Sequence, residues 1–239
     1  MRIVVAHMGP ISELIVASSV NLGIKGKPVE TKISWVVADE NKYIFKHNKN
    51  VDEVFSEGEF MNRGGEFDLL INLWPSEIKT EATIRDHIGF GSYKEFEPFK
   101  EVLLRNKSIP QMSSQQLYFI LAGLRWKGEG YNIPYFPKSR SRKNRVGVAV
   151  SNANLRNYVL DKLDLEGSKV WNIPYRKNIF KKMDEVNKCK RIITDDATIF
   201  HLSMNLRKYV YLLETIPFNL RIETYGQGET YRVPLSIVR

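Results

Sequence analysis

Cysteine is almost absent: Cys189 is the only one in 239 residues. That excludes a disulfide framework and a thiolate metal cluster, and it suits a reducing cytoplasm. Histidine is scarce too, and the four present are scattered, so no metal site is expected. No apolar run approaches the roughly 18 residues that a membrane-crossing helix needs. The apolar opening MRIVVAHMGPISELIVASS lacks the h-region and cleavage site of a signal peptide, and reads as a buried strand followed by a helix. Walker-type loops, G-x-G-x-x-G turns and zinc-ligand spacings are likewise missing.

What remains is an ordinary globular balance, 43% hydrophobic and 26% charged, in a length that suits one large domain or two small ones. The charge is uneven. Residues 1–137 carry a net charge of −1, and residues 138–239 carry +10. A neutral half joined to a basic half predicts two domains, 1–137 and 138–239, the second facing a polyanion.

Hydrophobic patterning supports the same division. RIVVA (2–6) predicts a strand, Gly9 and Pro10 a turn, and Ser12 to Leu22 a helix. ETKISWVVA (30–38), Val51 to Phe55 and FDLLINLW (67–74) predict further strands, with a helix over 41–49 between the first two. The near-continuous apolar run at 69–73 is that of a strand buried on both faces. A helix over 112–127 follows, with Ser113 or Ser114 as its cap and Gly128 past its end, and then a linker over 128–145. Strands at 145–150, 168–173, 191–194 and 209–214 alternate with helices at 155–163, 178–189 and 197–206. Strand–helix alternation predicts parallel sheets, hence two α/β domains with a cleft between them.

Ligands of such sheets bind beyond the C-terminal strand ends, where helix N-termini present free N–H groups. Three junctions qualify. HMGPISE (7–13) places Gly9, Ser12 and Glu13 at a helix mouth, where Glu13 serves either as a general base or to complement the helix dipole. TDDATIFHLS (194–203) sets Asp195 and Asp196 before a helix whose first N–H groups suit a diphosphate. Asp196 there is either a sugar-hydroxyl partner or a plain N-cap, and His201 lies one turn further on. VAVSNANLRN (148–157) offers Ser151, Asn152 and Arg156.

Together these junctions resemble glycosyltransferase family nine, the heptosyltransferases. The opening Met8-Gly9-Pro10-Ile11-Ser12-Glu13 is similar to the family's L-G-x-x-G-D, and HIGFG (87–91) to its R-I-G-F. ITDDATIFHLSMNLRKYVYLLE (193–214) is similar to V-T-x-D-S-G-x-x-H-L-A-A-A-L-G-x-P-V-V-x-L-F, and YGQG (225–228) falls at the family's last glycine-rich turn. The resemblance implies the B-type fold: two Rossmann-like domains facing a cleft, an acceptor side in 1–137, a nucleotide-sugar side in 138–239 and no metal or cofactor. It implies Glu13 as the catalytic carboxylate. Asp196, Ala197, Thr198 and His201 would contact the donor, and the third junction adds Ser151, Asn152 and Arg156, which suit either a phosphate or an ordinary cap. Gly9, Ser12, Trp74, Tyr131 and Tyr135 are the acceptor-side candidates. Ala197 and Thr198 stand where the family has Ser-Gly, and its P-G-x-S stretch is not recognisable near Ser151.

Three readings of the partner follow. The basic run KSRSRKNR (138–145), with Tyr131, Tyr135 and Phe136 beside it, inclines the acceptor toward a hydroxymethylated base in DNA. Phage enzymes that glycosylate such bases have the same two-domain architecture. The alternatives are a saccharide acceptor such as lipopolysaccharide core, and a non-catalytic module that binds nucleotide or nucleic acid. Arg156, Lys177 and Arg207 are the candidate cations for the leaving diphosphate.

Overall fold

A computed structural model describes residues 1–90, 114–162, 165, 167–214 and 228–232. They fall into two compact units that divide between Pro134 and Tyr135. Each unit is an α/β layer structure on a five-stranded, all-parallel sheet.

The first unit's sheet comprises β1 (Arg2–His7), β2 (Lys32–Val37), β3 (Glu53–Phe55), β5 (Leu69–Asn72) and β7 (His87–Gly89), in the order β3-β2-β1-β5-β7. The short β4 (Glu66–Phe67) and β6 (Thr83–Ile84) pair separately. β1 and β2 are buried along nearly their whole length, which accounts for their unbroken apolar sequences. Phe60 and Phe67 close one part of the core over Val4, Ala6 and Val36. Trp35 is stacked on Phe45 at 4.5 Å, and its indole N–H is satisfied by Asn21 at 2.7 Å.

The helix expected over 12–22 is two helices, α1 (Ile11–Ala17) and α2 (Val20–Lys25). Ser18 and Ser19 sit at the break, where their hydroxyls donate to the carbonyls of Ile15 and Val16. Such back-bonding competes with the helical ladder and bends it. The helix expected over 41–49 is a single 3-10 segment, Asp39–Ile44, and the five-residue α3 (Glu57–Met61) starts with a capping box built from Ser56 and Glu59.

The long amphipathic helix expected over 112–127 is described as α4 (Ser114–Leu121), and the candidate cap Ser113 lies outside the described residues. It stops at Gly123, not Gly128. Gly123 has φ +62°, Leu124 N–H donates to Phe119 O and Gly123 N–H to Ile120 O. That pair of bonds is the Schellman stop, which requires a left-handed residue at this position. α4 packs on α1 and α2 with Tyr118, Phe119 and Leu121 buried.

The second unit holds β8 (Arg142–Ala149), β9 (Lys169–Asn172), β10 (Cys189–Thr194), β11 (Tyr209–Glu214) and β12 (Gly228–Arg232), in the order β12-β11-β10-β8-β9. β8 begins inside the segment expected to be linker. β12 starts at the last residue of the expected YGQG turn, whose first three residues lie outside the described residues. α5 (Ala153–Lys162) covers Val146, Val148, Ile193 and Leu213 with Leu155 and Val159. α6 (Ile179–Asn187) and α7 (Ala197–Asn205) pack on each other and on β10.

Candidate functional site

Strand order alone selects one crevice per unit. In the first sheet the chain runs outward from β1 to β2 and β3, then returns to the other side of β1 for β5 and β7. The connections leaving β1 and β5 therefore diverge, and a crevice opens above their C-terminal ends. In the second sheet the same reversal falls between β8 and β10.

In the first unit, β1 ends at His7 and β5 at Asn72. Glu13 lies in the first turn of α1, exposed, as the junction rule predicts. Its Oε2 accepts a hydrogen bond of 2.9 Å from the Tyr118 hydroxyl, which also lies 3.1 Å from His7 Nε2. Sequence reasoning missed both partners. His7 was legible as the first residue of the HMGPISE junction. Tyr118 was not, because it comes from α4, 105 residues away.

Both partners are buried, and burial sets their protonation. It pushes the His7 imidazole down to about 4, only partly opposed by its own backbone carbonyl, so the ring is neutral at pH 7. It also raises the Tyr118 hydroxyl far above the usual phenol range, with the Glu13 charge and hydrogen bond adding to the effect.

Trp74, half-buried, lies on the β5 side of the crevice. Its backbone N–H donates to Asn72 Oδ1, while Asn72 Nδ2 donates to Ser76 O and Phe90 O, which fixes the loop. The indole packs against His7 at 5.1 Å between ring centroids and against Gly9. The part expected of Gly9 was a tight turn. Its backbone is not left-handed, and a Cβ there would meet the indole at 2.3 Å, so glycine serves close approach instead. Ser12 is half-buried beside Glu13. Tyr131, in the first unit, is half-buried with its hydroxyl shifted upward by burial.

The second crevice gathers the loops after β8 and β10. Ser151 donates from both its backbone N–H and its hydroxyl to Asp195 (3.0 and 2.6 Å to Oδ2), tying the two loops across the strand reversal. Asp196 is the N-cap of α7: its Oδ1 accepts from Ile199 N–H at 3.0 Å, and its Oδ2 lies 3.7 Å from the Lys182 ammonium. Asn152 accepts from Asn154 and Leu155 N–H groups at the start of α5. Arg156 donates to Asn172 Oδ1 at the end of β9.

Lys182, a further cation at this mouth, was missed because nothing in the α6 sequence marks its buried position. Ala197 is partly exposed, whereas Thr198 and His201 are buried on α7. Burial pushes the His201 imidazole down to about 4, and its ring meets Phe200 edge-on at 5.3 Å.

The residues offered for nucleic acid are placed elsewhere. Arg142, Lys143 and Arg145 form the N-terminal half of β8, opposite the strand end that opens the crevice. Arg145 is seated on the Trp171 ring at 4.6 Å. Tyr135 belongs to the second unit, stacks on Phe180 at 4.7 Å and donates its hydroxyl to Asp184. Arg207 follows the C-terminus of α7, also at the far end of the sheet from the crevice. Lys177 is exposed in the loop after β9. Among the described residues no three His, Cys, Asp or Glu side chains are grouped to hold a metal ion. No helix of the described residues is long and apolar enough to cross a membrane.

Two parallel α/β sheets in one chain, each with its crevice at the strand reversal, define a protein with the B-type glycosyltransferase fold. The solved structures it resembles include a transferase of glycosyltransferase family nine and heptosyltransferases. A family-nine transferase from Veillonella parvula matches with a TM-score of 0.63 and 12% identity, over 97% of this chain and 86% of that one. Heptosyltransferase WaaC of E. coli, solved with ADP, matches with a TM-score of 0.66 and 10% identity, over 98% and 94%. ADP-heptose LPS heptosyltransferase II of E. coli matches with a TM-score of 0.61 and 11% identity, over 98% and 91%. No protein-family model and no curated protein matches the sequence.

Proposed function

We propose that the chain is a glycosyltransferase that moves a sugar from a nucleoside-diphosphate donor to a saccharide hydroxyl. The observation that carries this reading is the match of nearly the whole chain, both sheets included, to heptosyltransferases, one of them solved with ADP. In this reading the Asp196/Lys182 mouth of α7 takes the donor and the Glu13/Trp74 crevice takes the acceptor. Glu13 removes the acceptor hydroxyl proton, the freed oxygen bonds to the sugar C1, and the C1–O bond to the diphosphate breaks with its electron pair leaving on phosphate. Lys182, Arg156 and the first N–H groups of α7 offset the charge that develops there. These groups need no metal ion for that task.

DNA as acceptor has weaker support, because the basic run and Tyr135 that suggested it are not at a strand-reversal crevice. A saccharide acceptor matches the names of the structural relatives.

The test incubates the protein with a set of ADP- and other nucleoside-diphosphate sugars and a pool of lipopolysaccharide-core saccharides. Released nucleotide and acceptor mass are both read. A mass gain of one sugar that disappears in Glu13→Gln is the expected result. Transfer to hydroxymethylcytosine DNA alone would restore the nucleic-acid reading, and nucleotide binding without transfer would leave a binding module.

A further inference from the structure

We propose that His7 and Tyr118 are positioning residues for Glu13: His7 donates from Nε2 to the Tyr118 oxygen, Tyr118 donates its only proton to Glu13 Oε2, and Oε1 is left to take the acceptor proton. The inference rests on the reading of Glu13 as the base, and it adds a directed chain behind it that runs from the core to the crevice.

The direction follows from counting protons. A tyrosine hydroxyl has one proton, and an ionised carboxylate can only accept. With Tyr118 donating to Glu13 at 2.9 Å, the 3.1 Å contact to His7 is a hydrogen bond only if Nε2 carries the imidazole proton. His7 Nδ1 is buried and makes no hydrogen bond to any other residue, so the Tyr118 contact decides the tautomer.

The surroundings hold the chain in place. His7 is fully buried and Tyr118 is 6% exposed, with the Trp74 and Tyr118 rings 5.1 and 5.6 Å from the imidazole. A histidine whose protonated form is disfavoured by burial is a poor competing base, and a buried phenol cannot lose its proton to water. Both groups therefore act on the reaction only through Glu13. Their function is to restrict the carboxylate to one rotation, with Oε2 tied back and Oε1 toward the crevice. No proton travels along the chain; the one taken from the acceptor ends on Oε1.

The experiment uses the full chain, in the transfer assay above and by 15N NMR of His7. Tyr118→Phe keeps the ring and removes the proton, so kcat should fall on the order of 10- to 100-fold with donor KM within about twofold, the loss expected for a misaligned catalytic group. His7→Leu should produce a similar fall, and His7→Gln, which restores an N–H near Nε2, should recover most of it. Combining His7→Leu with Tyr118→Phe should cost no more than Tyr118→Phe alone, as for two links of one chain.

Wild-type kcat in Tyr118→Phe, or losses that multiply in the double variant, would overturn the proposal. The 15N spectrum of the substrate-free protein should show neutral His7 with its proton on Nε2 at pH 7, and an Nδ1–H tautomer would overturn the chain whatever the activity. A wild-type protein with the Nε2–H tautomer but no sugar transfer would instead sink the reaction, with the chain's direction established.

Discussion

The Trp74 indole lies so close to Gly9 that a Cβ at residue 9 would stand 2.3 Å from the ring. Gly9→Ala must therefore push the indole away from His7 as well, because one ring touches both residues. Overpacking of this kind costs about 1–3 kcal/mol. The expected outcome is a lower melting temperature with a raised acceptor KM, while donor KM is unchanged. Melting curves and initial rates on purified Gly9→Ala check it, and an unaltered acceptor KM would remove Trp74 from the acceptor side.

Asp196 has two jobs in the structure that substitutions can separate. Its Oδ1 caps α7 and its Oδ2 faces Lys182, whose side chain is only 10% exposed. Asparagine caps as well as aspartate but carries no charge. Asp196→Asn and Asp196→Ala both leave Lys182 without its counter-charge, so Ala should be the less stable of the two by about 1 kcal/mol, the worth of the cap. If the carboxylate also holds the donor sugar, both variants should raise donor KM alike. Urea melts and donor saturation curves measure the two effects independently.

Residues in this chain were legible from sequence where local pattern decides the outcome. β1, β2 and β5 are apolar runs buried by the sheets they form, so composition and length identify them. Glu13, Asp195 and Asp196 were legible because a strand followed by a helix start is a local arrangement. The errors have a common cause, a choice made by distant or competing groups. Gly123 and Gly128 look alike in sequence, yet only Gly123 ends α4, through bonds to Phe119 and Ile120. β12 reads GETYR and lacks an apolar run, because it lies at the sheet edge and is identified only by its pairing with β11. Tyr118 reaches Glu13 through packing of α4 on α1, which no spacing rule foresees.

The basic run should prove dispensable for transfer. Arg142 and Lys143 lie at the start of β8, and Ala149 ends it, so these two charges are separated from the crevice by roughly 20–23 Å at the rise of a parallel strand. At physiological salt the Debye length is about 8 Å, so exposed charges that far away are screened. Replacing Arg142 and Lys143 together by serine should leave kcat and both KM values within about twofold. A much larger loss would mean that an anionic acceptor extends along the sheet, and would reopen the nucleic-acid reading.

Acid should destabilise each unit through one buried histidine. His7 in the first unit and His201 in the second both have folded values near 4, lowered by burial from 6.5. Between those values the unfolded chain binds a proton that the folded chain does not, so stability rises with pH across this window. The contribution is complete above about pH 6.5 and is lost progressively as the pH falls toward 4, by roughly 3 kcal/mol for each histidine. Melting temperature measured from pH 7.5 down to 4.5 should therefore drop steeply below 6.5. His201→Leu should flatten the part of that slope due to the second unit while leaving the first unit's intact. An unchanged slope in His201→Leu would show that its imidazole is protonated in the folded protein, held by an acceptor strong enough to overcome burial.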